Sequence, residues 1–216
     1  MPAPHWIHSA ATRWACTGIA LAAAACAPLS PKPAKTSEAP PVAAACPPAL
    51  AALARCLAGQ DSAGAYYLIA MPHQWNGHLV LHAHGGPALG APRPERSAAD
   101  LERWAIMVKA GYAWAGSTFR QGGVEVRAAA EDTERLLQIF VGHVAQPRRT
   151  ILHGQSWGAS VAARGAEMFT STTQGQRPYD AVLLTSGVLA GGSRSYDFRT
   201  DLRVVYQYLC NNHPRP

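Results

Sequence analysis

Residues 154–158 read Gly154-Gln155-Ser156-Trp157-Gly158, between the run Thr150-Ile151-Leu152-His153 and a stretch of small, helix-compatible residues that starts at Ala159. A serine placed where a strand turns sharply into a helix presents its hydroxyl to a cleft, and the first helical N–H groups beside it favour negative charge. The chemistry such a serine serves is nucleophilic acyl transfer, its oxygen attacking a carbonyl carbon. Gly154 and Gly158 have a steric reason in that setting, since side chains there would meet the neighbouring strand and helix. The five-residue motif is short, and its weight comes from the strand before it and the helix after it.

A second group of residues, His82-Ala83-His84-Gly85-Gly86-Pro87, follows another apolar run. Two adjacent glycines let main-chain N–H groups face a substrate oxygen. Pro87 has none, so Gly86 (less readily Gly85) is the expected donor, and the N–H of Trp157 is the second. His82 and His84, two apart on a strand, also suit a metal, but nothing nearby in sequence completes a ligand set, so no metal or cofactor is expected. His82 reads instead as a buried, hydrogen-bonded side chain. The partners that would arm Ser156 are scarce. His213 is the only histidine after it, and Asp180, Asp197 and Asp201 are the only later aspartates. His213 is therefore the candidate base. Arg120 and Gln121, just past a strand end, read as a solvated loop that could instead line the cleft.

These residues need a frame to bring them together. Strands are expected over 64–72, 78–83, 112–119, 150–154 and 180–187, with helices over 97–110 and 127–145 and a further one from about Ser156. Asn76-Gly77 carries a hairpin signal, and Ser97 with Asp100 a helix cap. Leu101, Trp104, Ala105 and Val108 mark one core face; Ala129, Thr133, Leu136, Leu137, Phe140 and Val144 mark another. Short apolar strands alternating with amphipathic helices predict an α/β fold with a mostly parallel, doubly wound sheet covered on both faces. In such sheets ligands gather at the C-terminal strand ends, where both glycine motifs lie.

The chain has 216 residues with 19 Gly and 17 Pro, too many turn formers for a helical bundle. Its net charge of +6 is scattered, with no basic stripe, so nucleic acid is not an expected partner. The apolar segment 15–26 is too short to span a bilayer and suits a signal peptide. It ends in Ala-Ala-Ala-Cys26, a loose lipobox without the usual leucine, so residues 1–26 are expected to direct export and Cys26 is a candidate for lipidation and membrane anchoring. Residues 27–48, rich in Pro and Ala, read as a linker. Cys46 and Cys56 flank what reads as a short helical segment and are a candidate disulfide in an oxidising compartment; Cys210 is left over.

The glycine pair at 85–86, the elbow 154–158 and their order on successive strands resemble the N-terminal part of an α/β-hydrolase of the serine esterase and prolyl-peptidase-like kind, over residues 64–192. The resemblance implies a small-molecule ester or amide substrate, a catalytic Ser156, and an oxyanion hole at Gly86 and Trp157. It also implies an acid and a histidine on later strands, for which the chain supplies little, so a fragment of a longer enzyme is expected. The core is then 49–192, and 193–216 is the start of a cap or a C-terminal tail. Three readings follow: an exported carboxylester hydrolase, a serine peptidase of the same fold, or an inactive truncated lipoprotein. Oligomeric state is left open.

Overall fold

A computed structural model describes residues 36–86, 88–123, 125–171 and 175–212 of the chain. Seven strands form one sheet: β1 (Val42–Ala44), β2 (Ala54–Gln60), β3 (Tyr66–Pro72), β4 (His78–Ala83), β5 (Ala113–Ser117), β6 (Arg149–Gln155) and β7 (Ala181–Thr185). The helices are α1 (Glu95–Arg103), α2 (Ala105–Lys109), α3 (Val126–His143), α4 (Trp157–Met168) and α5 (Gly191–Cys210). The strand order is β1-β2-β3-β5-β4-β6-β7. Pairs β1–β2, β2–β3 and β3–β5 are antiparallel, whereas β5–β4, β4–β6 and β6–β7 are parallel. The sheet is thus mixed, and its parallel half carries both glycine motifs. The architecture is α/β, with helices packed on both faces of the sheet.

Alternation along the strands splits the core in two. Leu79 and Leu81 of β4 join Leu136, Ile139 and Phe140 of α3 and Val161 of α4 on one face. Val80 and Trp114 pack with Leu101, Ala105 and Val108 of α1 and α2 on the other. Residues 78–83 are apolar almost throughout because β4, in mid-sheet, is buried on both faces. Cover is lost at the far edge: Val182 and Leu183 of β7 are 42% and 46% exposed.

Four expectations are corrected. Asn76-Gly77 is not a hairpin turn, because β5 lies between β3 and β4. Gly77 does take φ +88°, but its carbonyl accepts from Arg148 N, and Asn76 N donates to Gly111 O, so the turn is tied to more distant segments. Ser97 does not cap a helix; α1 begins two residues earlier, at Glu95, and Ser97 is buried within it. The linker ends sooner than residue 48, since Val42–Ala44 add to the edge of β2 and Glu38 pairs with Arg135 at 3.4 Å. The segment between Cys46 and Cys56 is a single 3-10 turn, Pro48–Leu50, leading into β2. Helix α5 starts at Gly191, and its apolar side chains, Phe198 and Leu209 among them, are exposed.

Cys46 and Cys56 are joined by a disulfide with Cα atoms 5.2 Å apart. It pins the lead-in of the sheet to β2 across a short loop. Its removal in a Cys46→Ser, Cys56→Ser variant is expected to cost about 2–3 kcal/mol, read as a lowered urea midpoint. An unchanged midpoint would show the lead-in to be energetically idle.

Candidate active site

The parallel strands bring three loops to one place. Ala83 is in register with Gly154 on one side and with Ser117 on the other. Residues 84–86, 118–121 and 155–157 therefore leave the same C-terminal edge side by side, with the glycine pair in the middle. Ser156 follows β6 directly and takes φ +55°, ψ −118°, a left-handed backbone for which a residue with a Cβ needs outside support. The support is visible. Ser156 N donates to Thr185 O of β7 at 2.9 Å, and Ala159 N to Ser156 O at 3.1 Å.

The glycines around Ser156 sit where a Cβ would meet main chain. One at Gly154 would lie 2.1 Å from Gly158 O, and one at Gly158 2.1 Å from Ala83 O. A Cβ at Gly85 would be 2.7 Å from Gln155 O, so the loop after β4 touches the elbow itself. Strand β6, helix α4 and the end of β4 are squeezed together at this point, which fixes Ser156 against the glycine pair.

Gly86 takes φ +72° and, like Trp157 at the start of α4, makes no main-chain hydrogen bond through its N–H among the described residues. Both border one small cavity of about 10 Å³, with His84, Phe119, Gln121 and Glu125 around it. Two residues with main-chain N–H groups free of main-chain partners, one of them opening a helix, border one hollow, a setting that suits an anionic oxygen. Arg96 holds the loop from behind, donating to Gly85 O at 2.6 Å.

Two features were not foreseen from sequence. Phe119, at the end of β5, also has a left-handed backbone, φ +62°, and its ring stacks on His84 at 4.3 Å. His82 does find a hydrogen-bond partner: its Nδ1 lies 2.9 Å from Nδ1 of His153, beneath Trp104. Burial holds His153 at about 4, and burial with the charge of Arg96 holds His84 at about 4. His82 is pushed well below the usual imidazole range by burial and by its histidine neighbours. All three are neutral at pH 7. The apolar run of β4 is consistent with a buried His82, but only the register of β4 against β6 could supply His153.

The other candidates fall elsewhere. His213 and Cys26 lie outside the described residues. Asp180 sits at the opposite end of the sheet, bonded to Thr150 N at 2.8 Å and Arg149 at 3.2 Å, while Asp197 and Asp201 are exposed on α5. Gln121 borders the cavity, but Arg120 turns from it to Asp132 and Glu131. Among the described residues, no histidine or carboxylate is bonded to Ser156 Oγ. None of them forms a group of three or more His, Cys, Asp or Glu side chains that could hold a metal.

No family model matches the chain. It is similar to an o-phthalyl amidase of Xanthobacter agilis, 30% identical over 117 residues, which is 52% of this chain and 24% of that protein. Among solved structures it is similar to a vibralactone cyclase, with 15% identity and a TM-score of 0.49 over 67% of this chain and 47% of the other. It is also similar to esterase B of Lactobacillus rhamnosis, with 18% identity and a TM-score of 0.48 over 65% and 50%. The chain thus spans about a quarter of the amidase and half or less of these two enzymes.

Proposed function

We propose that the chain carries the nucleophile and oxyanion hole of an exported serine hydrolase that cleaves carboxylic esters through an acyl-enzyme on Ser156. The observation that carries this reading is the left-handed Ser156 at the start of α4, wedged by Gly154 and Gly158 against the Gly85–Gly86 loop. In the reaction a histidine takes the Ser156 proton as Oγ bonds to the substrate carbonyl carbon. The carbonyl oxygen becomes an oxyanion facing the N–H groups of Gly86 and Trp157. Its collapse breaks the bond to the alcohol, which leaves with the proton from the histidine, and water then releases the acid by the same steps in reverse order. The described histidines do not serve as that base. His82 and His153 are paired inside the sheet, and His84 is stacked under Phe119. His73 and His78 lie at the opposite edge of the sheet, after β3 and at the start of β4, and His143 is bonded to Glu38 O at 2.7 Å. This reading places the base outside the described residues, where His213 is the one the chain supplies after Ser156.

The similarity to an amidase over 117 residues favours a second reading, in which the scissile bond is an amide and the leaving group an amine. Export is supported by the signal-like residues 1–26, and by the Cys46–Cys56 bond, which suits an oxidising compartment. Lipidation at Cys26 would add a membrane anchor.

The test is fluorophosphonate labelling, with the modified residue mapped by mass spectrometry. Ser156 is expected to be labelled, and Ser156→Ala to lose labelling by about a thousandfold or more while its circular dichroism is unchanged. A folded protein left unmodified at Ser156 would sink the acyl-enzyme reading.

A further inference from the structure

The N–H of Gly86 belongs to the same peptide unit as the carbonyl of Gly85. No cis peptide bond occurs among the described residues, so within that unit the N–H and the C=O point in opposite directions. Whatever fixes Gly85 O therefore also aims Gly86 N–H.

The loop itself does little to fix that direction. Gly85 must lack a side chain, since a Cβ there would lie 2.6 Å from Gln155 Oε1 and 2.7 Å from Gln155 O. Gly86 takes φ +72°, a backbone that suits glycine. Between two glycines a peptide plane can turn over at little steric cost. Turned over, it would aim the Gly85 carbonyl where the N–H is needed, and a carbonyl oxygen repels an oxyanion.

Arg96, in the first turn of α1, holds the plane. Its Nη2 donates to Gly85 O at 2.6 Å, and the same Nη2 lies 3.4 Å from His84 Nδ1. His84 Nδ1 is itself 3.3 Å from Gly85 O, a longer and poorer contact. Arg96 Nε lies 3.5 Å from Oδ2 of Asp100, one turn further along the helix. Asp100 is buried and Leu101 is fully buried in the core, so the helix that carries Arg96 is a firm base. A charged donor makes the stronger kind of hydrogen bond, and it polarises the peptide so that the opposite N–H becomes the better donor. As an ion pair alone Arg96 would contribute little to stability, because its side chain is 38% exposed.

We propose that Arg96 is a positioning residue, which fixes the Gly85–Gly86 peptide with its N–H towards the oxyanion. The inference rests on the reading of Ser156 as nucleophile and Gly86 as donor.

The test labels Ser156 of the whole chain with ethyl p-nitrophenyl methylphosphonate, and resolves the rate into the limiting constant kinact and the half-saturation constant KI. Losing an oxyanion donor outright costs about 100- to 1,000-fold, so a donor that is present but free to turn over is expected to cost about 10- to 100-fold. Arg96→Ala, and Arg96→Met, which keeps the apolar stem, are expected to lower kinact by that amount with circular dichroism unchanged. KI is expected to stay within about twofold, because the interaction is made in the transition state. Arg96→Lys, which keeps a charged donor, is expected to recover most of the loss. Wild-type kinact in the folded Ala or Met variant, a loss that falls on KI, or no recovery with lysine would each overturn the positioning role and leave the nucleophile reading standing. A folded wild type that is not labelled at Ser156 would overturn that reading, and the inference with it.

Discussion

Gly158→Ala is expected to lower the unfolding free energy by about 3 kcal/mol or more, whereas Gly165→Ala, on the same helix, is expected to leave it unchanged or raise it slightly. The two glycines differ only in what a methyl would meet. At Gly158 it would lie 2.1 Å from Ala83 O and 2.5 Å from His84 O, both main-chain atoms at the end of β4. Neither can move without dragging β4 and the Gly85–Gly86 loop. At Gly165 the nearest atom is Leu152 Cδ2 at 3.4 Å, an ordinary contact with a flexible side-chain end. There alanine gains about 0.5–1 kcal/mol of helix propensity. Urea unfolding of the two variants checks the pair. Equal midpoints would mean that the close approach of α4 to β4 is not a structural requirement, and the elbow would lose its physical basis. Because the clash falls on the loop that carries Gly86, any folded Gly158→Ala protein should also label at Ser156 more slowly than wild type.

The contrast shows what the sequence could and could not reveal. The Gly-x-Ser-x-Gly stretch, with apolar residues before and small ones after, is local information, and strand, turn and helix all formed where the residues required. The partner of each glycine is not local. That Gly158 meets Ala83 depends on β4 lying next to β6, a crossover decided by the whole sheet. The same distinction accounts for the false hairpin at Asn76-Gly77: the turn chemistry was read correctly, but β5 enters between the strands. The missed β2 has a related cause. Ala54–Gln60 mixes Ala, Arg, Cys and Gly with little β propensity, and becomes a strand because β3 pairs with it over seven residues. The bonds from Arg120 N and Nε to the Asp132 carboxylate join positions twelve apart in a loop and a helix, with no pattern to announce them. Phe119 looked like the end of a strand, and the left-handed backbone it takes is not one its residue type favours.

Acidification from pH 7 to 5 is expected to destabilise the protein by about 3 kcal/mol, through the histidines beneath the site. His82 and His153 share an Nδ1–Nδ1 hydrogen bond of 2.9 Å, which needs one ring to donate and the other to accept. Protonating both would set donor against donor. From α1, Arg96 and Arg103 add positive charge facing His82, and His84 stands close by. The folded values of His84 and His153 are about 4, against an ordinary 6.5, and burial with its charged neighbours holds His82 well below 6.5 as well. Between 6.5 and 4 the unfolded chain therefore binds more protons than the folded one. Stability is fully present above 6.5 and drains away as the pH falls below it. Asp100 works in the opposite sense: burial raises its carboxyl to about 6, so folding gains there as the pH falls. Asp61 and Glu134 are raised by burial as well, and soften the loss towards pH 4. Three imidazoles outweigh one strongly shifted carboxyl in the upper part of the window, which sets the sign. Urea midpoints at pH 7 and 5 measure the effect, and His153→Gln, which keeps a hydrogen-bonding group but cannot titrate, should flatten the dependence by about a third. A wild-type midpoint that did not fall between pH 7 and 5 would mean that the pair is charged or solvated in the folded protein. A variant as pH-sensitive as the wild type would move the origin of the loss away from the two strands that carry Gly86 and Ser156.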